Sequence, residues 1–138
     1  MERFLAKYSD LAYAVLRLVV GFLFTCHGLQ KVFGLLGGRV QLSDPVGAIA
    51  GVIELVGGVM IAFGLQTGYA AFLSSGLMAV AYFKAHAAKG FWPIQNRGEL
   101  AVLYCFLFLY MATRGSGRYS LDALLFGRGK TVTGFKKT

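Results

Sequence analysis

The segment "LRLVVGFLFTCHGLQKVFG", residues 16–34, has the length and apolar content of a membrane-spanning helix but contains Arg17, His27 and Lys31. A charged side chain at bilayer depth costs about 2.5 to 3.5 kcal/mol on insertion scales, so such groups usually face a bundle interior or a polar cavity. We therefore expect these three side chains to face other helices rather than lipid.

The composition of the whole chain is typical of a membrane protein. Of its 138 residues, 57% are hydrophobic and 14% are charged, and the mean hydropathy is +0.62, which is more apolar than ordinary soluble domains. The net charge of +8 comes from basic residues that are spread over the ends and loops. Because they form no basic stripe with stacking aromatics, nucleic acid is excluded as a partner. The expected partner is the lipid bilayer.

Four apolar segments predict an all-α fold, an integral membrane four-helix bundle. Each is close to the ~20 residues that a spanning helix needs, and together they cover about residues 11–34, 46–65, 67–85 and 98–114. Short connections between them indicate antiparallel neighbours.

Capping residues mark several helix boundaries. Asp44 can cap the second helix, and Pro45 fits its first position. Gly68 suits a tight turn between the second and third helices. Ser120 can cap a short C-terminal amphipathic helix. We expect one domain over residues 1–127 and a basic, disordered tail over residues 128–138.

The distribution of Lys and Arg predicts the topology. The two ends carry eight of these residues, the first and third loops carry five, and the second loop carries none. The positive-inside rule then predicts a multi-pass protein of the inner (plasma) membrane with both termini in the cytoplasm. In this orientation Lys31, His86, Asn96 and Glu99 lie near the outer surface, Glu54 lies at mid-membrane, and Arg17 lies toward the cytoplasm.

Helical periodicity places the charged residues on glycine-rich faces. One face of the first helix, roughly 80° wide, contains Arg17, Gly21, Phe24, Gly28 and Lys31. In the second helix, Glu54 shares a face of about 60° with Gly47, Gly51 and Gly58. Further polar faces are predicted in the third helix, from Ser75, Tyr82 and His86, and in the fourth, from Glu99, Phe106 and Tyr110. The pattern predicts a polar bundle interior.

Each of these residues also has a purely structural interpretation. Lys31 could extend to the interface from a helix end, Glu54 could form a structural pair with Arg17 or Lys31, and His27 could bond a neighbouring helix. The only two histidines, His27 and His86, lack a surrounding ligand cluster, so we expect no haem and no metal. Cys26 and Cys105 are interpreted as inert buried thiols, although a disulfide between them is sterically conceivable.

Four ordered motifs resemble the DoxX family. "LRLVVGFLFTCHGLQKVFG" resembles its first-helix signature, and "GVIELVGGVMIAFGLQT" is similar to its second-helix Glu-x-x-Gly-Gly pattern. "NRGEL" resembles the polar entry into its fourth helix, and "GSGRYSLDALL" its C-terminal signature. The matching motif residues are Arg17, Gly21, His27, Gly28, Lys31, Glu54, Gly57, Gly58, Asn96 and Glu99.

The resemblance implies a small four-helix membrane protein of bacteria or archaea that is linked with redox systems. Related proteins include a membrane subunit of a thiosulfate:quinone oxidoreductase, and one member is associated with a complex containing a superoxide dismutase and a sulfurtransferase. Shared fold is an analogy for function, not a demonstration of it. The implied partners are soluble redox or sulfur-metabolism enzymes, and a homo-oligomer is a further candidate.

Three functional hypotheses follow. The first is a quinone-linked redox subunit, in which protons are transferred to and from a quinone by Glu54, His27 and Tyr82. The predicted ligand-binding residues are Arg17, Lys31, His86, Asn96 and Glu99. The second is a non-enzymatic assembly or docking subunit whose polar network fixes helix packing. The third is a small-anion or sulfur-compound binding or transport protein with Arg17 and Lys31 as counter-charges.

Overall fold

The computed structural model describes the backbone of residues 2–127 and the side chains of residues 4–127. Within that range the fold is all-α, as predicted. A single 3-10 turn covers Ala87–Lys89. The α-helices are α1 (Glu2–Ala6), α2 (Ser9–Phe33), α3 (Pro45–Phe63), α4 (Thr67–Ala85), α5 (Pro93–Asn96), α6 (Glu99–Arg114) and α7 (Leu121–Phe126). The predicted basic tail, residues 128–138, lies outside the described residues.

The predicted caps of α3 and α7 are confirmed. The Asp44 side chain accepts a hydrogen bond from the Gly47 amide at 2.8 Å, and Pro45 occupies the first position of α3. The Ser120 hydroxyl accepts one from the Ala123 amide at 3.1 Å. These bonds satisfy amides that have no partner within the first turn of a helix.

The prediction that Gly68 forms the turn after α3 is wrong, because Gly68 lies inside α4. The turn is made instead by Gly64, whose φ of +73° ends α3 in the left-handed conformation. The Leu65 amide then donates to the Met60 carbonyl at 2.8 Å. This is the usual way in which a glycine terminates a helix.

The four long helices pack around one apolar core. α2 packs along α3, and α4 packs along α6. The core draws a side chain from each of them: Phe24, Ile61, Ala71 and Phe108 are at most 1% exposed. The ring of Phe24 packs against that of Phe108 with centroids 4.7 Å apart. These contacts bring α2 and α6 together across the core.

The predicted polar face of α6 is wrong. Phe106 is 66% exposed and Tyr110 is 46% exposed, and Glu99 also lies at the surface. The helix instead directs Tyr104 and Phe108 inward, because their rings fill the core next to Phe24. Packing of large aromatic rings therefore sets the rotation of α6.

Two of the helices, α2 and α3, are long and apolar enough to cross a membrane, and α4 and α6 do not meet the same criterion. Large apolar side chains cover the outside of the fold, with Phe22 62% exposed, Phe72 65% and Phe83 71%. Such extensive exposed apolar surface is a property of proteins that contact lipid.

Candidate functional site

The charges of α2 and α3 meet inside the fold. The Nζ atom of Lys31, in the last turn of α2, donates to Glu54 Oε1 at 2.6 Å. The Glu54 side chain is 3% exposed, whereas that of Lys31 is 26% exposed. The predicted pairing of Glu54 with Lys31 is therefore observed. We call these two residues the ion-pair site.

Glu54 lies in an irregular part of α3. The helix is α-helical over Pro45–Val52 and Gly58–Phe63, but Ile53–Gly57 forms one π-helical turn. Such turns are rare in proteins and frequently occur at functional sites. The hydrophobic pattern of the sequence gives no signal for it, because a single wider turn changes little in the helical period.

Close helix contact surrounds the ion-pair site. A Cβ atom built on Gly28 of α2 would lie 2.3 Å from the Leu55 backbone nitrogen, inside the π-helical turn. One built on Gly58 would lie 2.6 Å from the Thr25 nitrogen. These distances exclude any side chain, so the glycines allow α2 and α3 to touch through their backbones. The predicted glycine faces are confirmed.

One oxygen of the Glu54 carboxylate has no hydrogen-bond partner in the part of the chain that the structure describes. Its Oε2 atom is buried and accepts no hydrogen bond within the described residues. A buried acceptor without a partner costs about 1 to 3 kcal/mol of stability. The site therefore contains an available acceptor next to a cation, which is suited to binding a polar group or exchanging a proton.

Ser74 is a residue that the sequence analysis missed. Its hydroxyl is fully buried without a partner in the described part of the chain. It lies across from the π-helical turn, 3.0 Å from where a Cβ of Gly57 would be. The adjacent pair Ser74 and Ser75 within an apolar helix was the available signal, since a hydroxyl at such a position needs a bonding partner.

Arg17 is not part of the ion-pair site, contrary to one of the two pairings considered for Glu54. It is 3% exposed and donates to the backbone carbonyls of Ser116 and Tyr119, the latter at 2.6 Å. Tyr13 donates from its hydroxyl to the Gly115 carbonyl, also at 2.6 Å. We call this arrangement of Arg17 and Tyr13 with residues 115–122 the C-terminal clasp.

The separation of Arg17 from Lys31 has a simple geometric reason. Fourteen residues of helix extend about 21 Å, so two charges on one face of α2 lie far apart along its axis. The face was predicted correctly, but one carboxylate cannot reach both cations. His27, which lies beside this face, is half-buried one turn before Lys31.

Tyr82 belongs to a different cluster from Glu54 and His27, with which it was grouped. The Asn96 amide donates to the Tyr82 hydroxyl at 3.1 Å and to the Gly90 carbonyl at 2.9 Å. The backbone carbonyl oxygen of Asn96 is 3.0 Å from Nδ1 of His86. Asn96 is itself 2% exposed. We call Tyr82, His86 and Asn96 the loop cluster, because they hold the segment between α4 and α6.

Glu99 lines a groove beside the loop cluster rather than a buried site. The groove has a volume of about 740 Å³ and is open to the outside. It is lined by Pro93, Ile94, Arg97, Glu99, Leu100, Val102 and Leu103. The ion-pair site and this groove are thus two separate places at which polar groups meet apolar surface.

No three His, Cys, Asp or Glu side chains cluster as metal ligands within residues 4–127. Cys26 and Cys105 are both free and half-buried. The Ser75 hydroxyl donates to the Cys105 carbonyl at 2.8 Å, and its oxygen is 3.6 Å from the Cys105 sulfur. The cysteines are therefore not joined to each other.

An all-helical fold with lipid-compatible outer surfaces and an ion pair enclosed between two apolar helices is characteristic of a membrane protein. The sequence model of the DoxX family matches residues 12–87, and the chain belongs to this family. The matched range contains both members of the ion-pair site. It ends before Asn96 and Glu99.

Related proteins match over most of the chain. An uncharacterized protein of Haemophilus influenzae is 45% identical over 129 residues, which are 88% of this chain and 96% of that protein. The inner membrane protein YqjF of Escherichia coli is 30% identical, over 86% of this chain and 95% of its own length. A Bacillus subtilis protein named "Putative oxidoreductase CatD" is 29% identical, over 90% of this chain and 93% of its own length. No solved structure was found to match.

Proposed function

We propose that this protein is a quinone-linked membrane subunit of a redox system, in which the ion-pair site handles protons. The observation that carries the proposal is the free Oε2 atom of Glu54, buried beside the Lys31 ammonium group. Proton transfer at a quinone needs groups that can change charge in a desolvated place. A relative named as an oxidoreductase supports the same class of function.

The chemistry requires two electrons and two protons for each quinone reduced to a quinol. In the proposal, the Lys31 ammonium donates a hydrogen bond to a quinone oxygen, and the free Glu54 oxygen accepts one from a quinol hydroxyl. The electrons come from a soluble redox or sulfur-metabolism enzyme, which is the proposed partner class. His27, one turn away on α2, is the next group to exchange protons with the site.

The proposal includes four membrane-spanning helices with both termini in the cytoplasm of a cell with an inner membrane. The count of eight basic residues at the ends against five in the outer loops supports this orientation. A relative named as an inner membrane protein supports the location. In this arrangement the open end of the ion-pair site, at Lys31, faces the outer half of the membrane.

The main alternative is non-enzymatic. The ion pair lies where α2 and α3 touch through glycines, so it could simply fasten these helices in a subunit that docks other proteins. The third hypothesis, a small-anion or sulfur-compound site, loses one of its two counter-charges because Arg17 is engaged in the C-terminal clasp.

The test is titration of ubiquinol-1, kept reduced under anaerobic conditions, into nanodiscs that contain the purified protein, with empty nanodiscs subtracted. Glu54→Gln should weaken binding about tenfold, which corresponds to ~1.4 kcal/mol. Asp10→Asn is the matched control, because it removes a carboxylate from an exposed pair with Arg114, and it should leave the affinity within about twofold. Equal affinity for wild type and Glu54→Gln would overturn the proposal. Binding of thiosulfate in place of quinone would favour the anion hypothesis.

A further inference from the structure

The groove beside the loop cluster contains two opposite charges that do not neutralise each other. Arg97 and Glu99 both line it, yet the ion pairs within residues 4–127 are Lys31 with Glu54 and Arg114 with Asp10. Both groove residues are exposed. The same groove is also lined by the apolar side chains of Ile94, Leu100 and Leu103. The groove therefore offers one cationic and one anionic contact above an apolar surface.

Arg97 adopts a conformation that L-residues disfavour. Its φ of +60° and ψ of +24° are left-handed, and it ends α5 at a position where glycine is usual. The loop cluster imposes this geometry. The side-chain oxygen of Asn96 accepts a hydrogen bond from the Gly98 backbone amide at 2.8 Å, and its side-chain nitrogen donates one to the Tyr82 hydroxyl. Backbone strain that is retained at a non-glycine residue points to a role for its side chain.

Aromatic side chains indicate the depth of the groove in the membrane. Phe91 and Trp92, directly before the groove residues in sequence, are 81% and 60% exposed. Exposed Trp beside charged residues is typical of the level of the lipid headgroups. The charges of the groove then lie at headgroup level, and its apolar wall runs along α6 toward the bilayer core.

We propose that this groove binds one zwitterionic aminophospholipid, phosphatidylethanolamine, with its phosphate at Arg97 and its ammonium group at Glu99. The guanidinium of arginine suits a phosphate oxygen, and a primary ammonium donates hydrogen bonds that a quaternary one cannot. The acyl chains lie along Ile94, Leu100 and Leu103. The assignment is independent of the quinone proposal, because it uses none of the residues of the ion-pair site.

The experiment is native mass spectrometry of the full-length protein in detergent, titrated separately with phosphatidylethanolamine, phosphatidylcholine and phosphatidylglycerol of identical acyl chains. Phosphatidylethanolamine should bind wild type at least about tenfold more tightly than phosphatidylcholine, the effect expected for one hydrogen bond to a charged group. Glu99→Gln should abolish that difference. Arg97→Gly should weaken binding of all three lipids. The melting temperature of this variant should equal or exceed that of wild type, since glycine relieves the backbone strain.

Lys89→Gln is the control, because Lys89 is an exposed cation in the same segment and outside the groove; its lipid affinities should be unchanged. Tightest binding of phosphatidylglycerol would show that only positive charge is recognised, which overturns the proposal. A preference for phosphatidylethanolamine that survives Glu99→Gln, or equal binding of all three lipids, would overturn it as well.

Discussion

At the residue scale, the two basic residues on the inner face of α2, Arg17 and Lys31, have separate environments. Lys31 pairs with Glu54, whereas Arg17 belongs to the C-terminal clasp. In the clasp, the Asp122 carboxylate accepts hydrogen bonds from the Ser116 hydroxyl at 2.5 Å and from the backbone amide of Gln66 at 2.9 Å. The sequence predicted that these charges face inward, since lipid penalises them. It could not predict that Arg17 binds backbone carbonyls about a hundred residues away, because carbonyls are present at every position and leave no pattern.

Arg17→Lys should destabilise the protein although it preserves the charge. Lysine is a point charge on a flexible stem, so it cannot bond both carbonyls with the fixed fork of arginine. The expected loss is about 2 kcal/mol of unfolding free energy, measured by circular dichroism during titration with a denaturing detergent. Arg114→Lys, at an exposed ion pair, should lose less than about 1 kcal/mol. Equal losses would contradict the role assigned to the clasp.

At the element scale, glycine spacing predicted the contact of α2 with α3 correctly, and the capping residues predicted where α3 and α7 begin. The sequence did not predict two features of these helices. The π-helical turn at Ile53–Gly57 depends on how α3 fits against Gly28 and Ser74, which is tertiary information. The rotation of α6 depends on aromatic packing in the core, since its apolar residues lie on every side and its sequence shows no dominant face.

Gly58→Ala should break the α2–α3 contact. The added Cβ would lie 2.5 Å from the Thr25 hydroxyl oxygen and 2.8 Å from the Gly21 carbonyl oxygen. The backbones of α2 and α3 cannot relieve this overlap without moving apart. We expect a loss of about 2 kcal/mol or more of unfolding free energy. Gly76→Ala is the control, since no atom lies within 4 Å of its added Cβ. It should leave stability unchanged or raise it by up to ~1 kcal/mol, and a similar loss in both variants would refute the close contact.

At the scale of the whole molecule, composition was sufficient for the class of fold and four ordered motifs for the family, but neither was sufficient for the site. Apolar segments of about 20 residues identify a helical membrane protein before any contact is known. The choice of Glu54 and Lys31 as partners needed the lengths and positions of the helices. Placement of Tyr82 and Asn96 in a separate cluster depended on the conformation of the loop between α4 and α6, which lacks a periodic pattern.

The topology can be tested on intact cells with single cysteines in a background that lacks Cys26 and Cys105. A cysteine at Ser43, exposed between α2 and α3, should react with an impermeant maleimide added from outside. One at Arg118, exposed in the C-terminal clasp, should react only after the cells are opened. The opposite result would reverse the orientation, and labelling of both from outside would exclude four spans.

The most direct test of the central claim compares the stability and the ubiquinol-1 affinity of Glu54→Gln in the same preparation. Glutamine is nearly isosteric and can still accept from Lys31, whose side chain is 26% exposed and keeps part of its hydration. If the ion pair serves proton transfer, unfolding free energy should stay within about 1 kcal/mol of wild type while affinity for ubiquinol-1 falls about tenfold. A loss of about 3 to 5 kcal/mol, the usual cost of breaking a buried pair, together with unchanged ubiquinol-1 affinity would contradict the account and show that the pair only holds the helices together.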